Sequence, residues 1–165
     1  MQAIIRILAD GLMLPIVLIA AYALLVKVPV QNRYERYVRI LMAGVTSYMS
    51  AKLLGLLWQP ESFRPFEKLG VDAGASYLNN PGFPSDHALF AGFLTLAVWY
   101  ASRNRLLSLV LLVLTLSVCT GRVLALVHTP LDVIGGLLVA SVGALWYWTD
   151  MKNAFRKRLA KKSNR

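Results

Sequence analysis

The chain holds only two histidines, His87 and His128, and both sit among residue types suited to phosphate chemistry. His87 follows Ser85 and Asp86 in "NNPGFPSDHALF" (79–90), and His128 lies between Arg122 and Asp132 in "GRVLALVHTPLD" (121–132). Arg64 opens a separate "RPF", and Lys52 lies further upstream. A histidine oriented by a carboxylate can serve as a nucleophile, and a second histidine can serve as general acid. Arginine stays cationic, and its fork of donors matches phosphate oxygens. The first backbone N–H groups of a helix opening at Asp86 would add an anion site. Brought together, these groups describe metal-independent phosphoryl transfer through a phosphohistidine. Zinc is disfavoured, because two His and the lone Cys119 on separate segments offer no ligand spacing. One cysteine also excludes an internal disulfide.

Most of these residues have a plainer job as well. His87 could be an interfacial histidine. Ser85 and Asp86 suit capping of a first helical turn, with Pro84 just before it. Thr129 suits an N-cap and Pro130 the first helical position, so Asp132 could simply complement a helix dipole. Arg122 resists such a reading. An apolar span over 105–127 puts it about six residues, or roughly 9 Å, inside the span end, where a charge is expensive and is by default paired or functional.

The elements that must position these groups follow from composition. The chain has 165 residues, is 57% hydrophobic and 16% charged, and has a mean hydropathy of +0.55, the profile of a membrane protein. A span needs about 20 mostly apolar residues. Five stretches qualify at 7–28, 38–58, 86–102, 105–127 and 131–149, which predicts an all-α, polytopic helix bundle forming one domain over 1–165. The connection 59–85 carries four of the seven prolines and reads as an ordered loop before the third span. Placing 29–37, 103–104 and the tail 150–165 on one side collects thirteen of the 18 Lys and Arg there. The positive-inside bias then makes that side cytoplasmic and the 59–85 loop external. Cleavage at the A-x-A-like Ala21-Tyr22-Ala23 would reverse the later spans, and the charge bias opposes it. The basic tail fixes topology and touches anionic lipid; no folded nucleic-acid reader is present. With this topology Lys52, Arg64, Ser85, Asp86, His87, Arg122, His128 and Asp132 all reach one membrane face, the outer one. Trp58, Trp99, Trp146 and Trp148, with Tyr34, Tyr37, Tyr100 and Tyr147, read as interfacial belts. Gly92, Gly135 and Gly136 read as helix-packing positions.

"RPF" at 64–66, "FPSDHA" at 83–88 and "GRVLALVHTPLD" at 121–132 resemble the three signature motifs of the type 2 phosphatidic acid phosphatase (PAP2) superfamily, over a motif region of 52–136. The resemblance implies His128 as nucleophile, Asp132 as its orienting acid and His87 as the acid that protonates the leaving oxygen and then activates water. It implies Arg64, Arg122, Ser85 and Lys52 as the phosphate cradle; Asp86, Pro84 and Gly121 beside them are candidate support for the site. No metal or other cofactor is implied. Three positions depart from the family pattern: Leu57 stands where a lysine is usual, Gly121 where serine is usual, and Asp86 where glycine is commoner. "FPSDHA" after "RPF" is most similar to the bacterial undecaprenyl pyrophosphate phosphatase branch. The expectation is therefore an inner-membrane enzyme taking a polyprenyl diphosphate to its monophosphate at the outer face. Phosphatidylglycerophosphate, phosphatidic acid or a glycolipid phosphate as substrate, a lipid phosphotransferase, and a non-catalytic phospholipid-binding relative are the alternatives.

Overall fold

The computed structural model describes residues 2–148; the basic tail 150–165 lies outside the described residues. Among them every regular element is helical. The chain runs through α1 (Gln2–Arg6), a π-helical turn (Ile7–Gly11) and α2 (Met13–Val26), which form one continuous span. It continues through α3 (Arg33–Leu57), the short α4 (Pro65–Leu69), α5 (Asp86–Ser102), α6 (Arg105–Leu124) and α7 (Pro130–Gly143).

Four stretches are long and apolar enough to cross a bilayer: Gln2–Val26, Val30–Leu57, Arg105–Leu124 and Pro130–Trp148. The third of the five expected spans, α5, is a 17-residue helix and falls short of that length. It is instead the centre of the bundle, packed against α2, α3, α6 and α7. Its Ala88, Ala91, Ala97 and Ala101 are fully buried, so small side chains let four neighbours close around it. The outer helices show the opposite pattern. Only 17% of the first span's most apolar window is buried, and Leu14, Leu18 and Leu25 face outward. Apolar surface left uncovered on this scale is what a lipid-facing helix presents.

Local chemistry sets the helix ends. Arg103, at φ 57°, ends α5, and the Asn104 side chain accepts the N–H of Leu107 to start α6. A capping box of Thr129 and Asp132, with Pro130 at the first position, starts α7. The first span begins earlier than the sequence suggests, at Gln2, and α6 ends earlier, at Leu124. Arg122 is therefore in the last turn of α6, not deep inside it.

Up-and-down connections put two sets of residues at opposite ends. At the motif end Lys52 pairs with Asp86, Asp10 meets His87 and Arg122, and His128 lines the same cavity. The far end holds the α2–α3 connection and the α5–α6 turn. There Arg36 donates to the carbonyl of Ala101, and the rings of Tyr100 and Tyr147 stack with centroids 4.2 Å apart. Those two tyrosines are buried core, not the interfacial belt expected of them. Residues 59–85 form an ordered cover over the motif end. Phe66 N–H donates to Leu126 O at 3.0 Å, Gly74 N–H to Ala125 O at 3.0 Å and Ser85 N–H to Asp132 O at 2.9 Å, tying the loop to the α6–α7 turn.

Candidate active site

A cavity of about 660 Å³ opens at the motif end, lined by Lys52, Arg64, Asp86, His87, Arg122, His128 and the loop around 76–84. His128 is delivered by the turn between α6 and α7. Leu126 in that turn sits at φ 58°, a left-handed conformation that side chains avoid at a cost of about 1–2 kcal/mol. His128 is buried, with Nδ1 3.5 Å from Asp132 Oδ2. The same Oδ2 accepts the Thr129 N–H at 2.7 Å, so the capping box fixes the carboxylate that faces the ring. Nδ1 has no shorter bond, and Nε2 lies on the opposite edge of the imidazole. Burial, then the charges of Arg122 and Arg64, push His128 below the ordinary histidine range, while Asp132 pulls it back up. The ring is thus held neutral, the form that can act as a nucleophile. Gly82 passes close over this pair: a Cβ there would stand 3.3 Å from both His128 Nδ1 and Asp132 Oδ2.

Arg64 precedes α4 and is itself buried. Its guanidinium donates to the carbonyls of Val127 and Leu78 and to Asn80 Oδ1. Nε has no partner, and the Tyr77 ring lies 5.5 Å away. Burial lowers its basicity, and Asp132 and Glu67 offset this; an arginine remains charged through such a shift.

Arg122 has a partner that sequence reasoning missed. Its Nη1 donates to Asp10 Oδ1 at 2.7 Å, and the same oxygen is 3.7 Å from His87 Nε2. Asp10 Oδ2 accepts both the N–H and the O–H of Ser76, at 2.9 and 2.6 Å. One carboxylate on the first helix thus joins α5, α6 and the loop. The signal was present: an acid inside an apolar run is by default paired or functional. Gly121 explains how it reaches Arg122. A Cβ at 121 would stand 2.6 Å from the Ala9 nitrogen, so only glycine lets α6 touch the π-helical turn that carries Asp10.

The other expected residues fall as follows. Lys52 Nζ lies 2.9 Å from Asp86 Oδ1 at the cavity rim, while Leu57, where a lysine was expected, is exposed. Ser85 is fully buried beside the cavity but not on its wall, and it makes no side-chain capping bond. Its hydroxyl has no partner, which corrects the capping role that its position suggests. Pro84 follows Phe83 through a cis peptide, and the Phe83 ring seats against Gly135. Among the described residues no group of three or more His, Cys, Asp or Glu is arranged to hold a metal.

Compared with known families, residues 36–156 match the model of the PAP2 superfamily, well over half of the chain. The chain belongs to the PAP2 superfamily. Comparison with curated proteins and with solved structures gave no match. Membership makes this PAP2 chain a membrane phosphatase that acts on a lipid in a bilayer. The PAP2 match takes in Lys52, Arg64, Ser85, His87, Arg122, His128 and Asp132 and leaves Asp10 outside it.

Proposed function

We propose that this PAP2 protein hydrolyses a polyprenyl diphosphate to the monophosphate at the outer face of the cell membrane, through a phosphohistidine on His128. In the first step His128 attacks the terminal phosphorus, the P–O bond to the lipid phosphate breaks, and His87 gives its proton to the leaving oxygen. In the second, water attacks the phosphohistidine, His87 takes the proton, and inorganic phosphate departs. Arg64 and Arg122 neutralise the phosphate oxygens with donors not yet engaged, and a guanidinium has five. The first amides of α5 extend the cradle, with the unpaired Ser85 Oγ buried beside it, and Lys52 stands at its entrance beside Asp86. The outward orientation rests on the Lys and Arg bias of the opposite side.

The observation that carries this reading is the meeting of His87, His128, Arg64 and Arg122, from separate segments, on one cavity at one end of the bundle. Support for a long-tailed substrate comes from a second, apolar groove of about 810 Å³ between α3 and α5, lined by Leu41, Val45, Tyr48, Phe90 and Phe93. Asp86 borders both spaces. The test is phosphate release by purified protein from undecaprenyl diphosphate, phosphatidylglycerophosphate and phosphatidic acid, with EDTA present, alongside His128→Ala. The expected result is preference for the diphosphate, indifference to chelator and an inactive mutant. Preference for a monoester would reassign the substrate. Release from none of the three, with no trapped phosphoenzyme, would point to a binding protein.

A further inference from the structure

Asp10 does more than a counter-ion for Arg122 needs to do. Its Oδ2 is held by two donors from Ser76, so the carboxylate cannot rotate freely. Oδ1 is thereby aimed between the Arg122 guanidinium and Nε2 of His87. The π-helical turn at Ile7–Gly11 and the close approach at Gly121 both serve to bring this oxygen there. A carboxylate wanted only to neutralise Arg122 would need neither the third partner nor the orientation.

We propose that Asp10 is a positioning residue for the acid step: it fixes the Arg122 guanidinium and supplies the negative charge that His87 requires while it carries the proton. The proposal rests on the reading above, in which His87 is the general acid. Two guanidinium groups already face the cavity, and a proton on His87 adds a third positive charge: burial and the Arg122 charge push the ring's pKa down to about 4, while Asp10 pulls it up. A carboxylate 3.7 Å from Nε2 offsets that charge. Once the proton has passed to the leaving oxygen, the ring is neutral and ready to accept the proton of the attacking water. Asp10 touches neither phosphorus nor leaving group, and it acts through His87 and Arg122.

A residue acting through the acid matters most where the leaving group most needs a proton. The experiment compares wild type, Asp10→Asn and Asp10→Glu on an alkyl phosphate (phosphatidic acid) and an activated aryl phosphate (p-nitrophenyl phosphate), across pH. General acid catalysis contributes about 10²–10⁴-fold, so Asp10→Asn should lose on the order of 100-fold in kcat on the alkyl ester and less than about 10-fold on the aryl ester. The basic limb of its pH profile should move to lower pH, and Asp10→Glu should recover part of the loss. Ser76→Ala, which removes the hydroxyl donor to Oδ2 while the backbone N–H and the charge remain, should show the same selectivity at smaller amplitude and serves where Asp10→Asn does not fold. Equal losses on both esters with an unmoved pH profile would overturn the proposal and leave Asp10 a structural counter-ion, as would an unchanged Asp10→Asn. Wild-type protein inactive on these esters and on undecaprenyl diphosphate alike sinks the functional reading, and this one with it.

Discussion

Both ends of the bundle concentrate arginines, and they use them in opposite ways. At the far end Arg36 donates to Ala101 O at 2.6 Å, Arg33 to Val28 O at 3.1 Å and Arg39 to Trp146 O at 3.0 Å. These guanidinium groups complete carbonyls near the ends of helical segments, where positive charge also suits the helix dipole. At the motif end Arg122 meets a carboxylate, and Arg64 keeps an unmatched Nε beside a cavity. An unmatched Nε does not by itself separate the two ends, since Arg33 and Arg36 have one as well. The separation lies in the company. Tyr147 at the far end keeps an unpaired hydroxyl, as Ser85 does at the motif end. Among the described residues, though, it is at the motif end that an imidazole (His128) and two guanidinium groups with an unpaired atom line one cavity. Arginines complete helix-end carbonyls at one end and surround a cavity at the other.

The sharpest way to break this contrast is to remove one group from each end. His128→Ala should lower phosphate release by at least about 10⁴-fold with folding intact, as removal of a nucleophile does. Arg122→Gln should come next. Taking one partner from a buried ion pair costs about 3–5 kcal/mol of stability, and here activity falls too. Its far-end counterpart, Arg36→Gln, should cost about 1.5–3 kcal/mol by losing a charged hydrogen bond. Rate per folded molecule should be unchanged, as a thermal melt run beside the assay will show. If Arg36→Gln were inactive while folded, the two ends would not be separable.

Glycines give a second, smaller pairing. Gly143→Ala drives a methyl into Ala43 and Ser47 at the far end and should cost about 1–3 kcal/mol as overpacking, with turnover spared. Gly82→Ala meets only ordinary-to-tight contacts, but they are with His128, Asp132 and Arg64, so turnover should fall more than stability does. The pH profile comes after these. His128 is held low by burial and by Arg122 and Arg64, so the neutral nucleophile persists as pH falls. The acid limb of kcat/KM should therefore lie below the ordinary histidine value of about 6.5. Asp132→Asn removes the opposing upward pull and should shift that limb further toward acid; a limb at or above the ordinary value contradicts the assignment. Lys52→Ala should do least to stability, under about 1 kcal/mol, because its pair with Asp86 is half exposed.

Much of this was legible in residue order. The all-helical bundle, the loop before α5 and the gathering of His87, His128, Arg64 and Arg122 at one end follow from the order of the apolar runs, although four of the five expected spans reach spanning length. Lateral contacts between helices do not. Nothing local says that α5 is central, yet its run of small residues is what permits it. Tyr100 and Tyr147 look interfacial by position and are stacked in the core, because a tyrosine near a span end carries no mark of which neighbour will cover it. The departures from the PAP2 pattern are instructive because they come in pairs. Asp86 and the displaced Lys52 hold each other, and Gly121 admits the helix that brings Asp10. Each half looks like an anomaly when read alone, and neither does beside its partner.

The link between Asp10 and Arg122 spans 112 positions of chain. During synthesis at about 5–20 residues per second, the acid is made roughly 6–22 seconds before its guanidinium exists. In that interval the first helix must keep its carboxylate near the water interface or protonated, since bare charge is costly deeper in lipid. Closing the pair is also what completes the constellation around His87. A partly made chain carries the acid without its site, so competence arrives late in assembly and arrives as a unit.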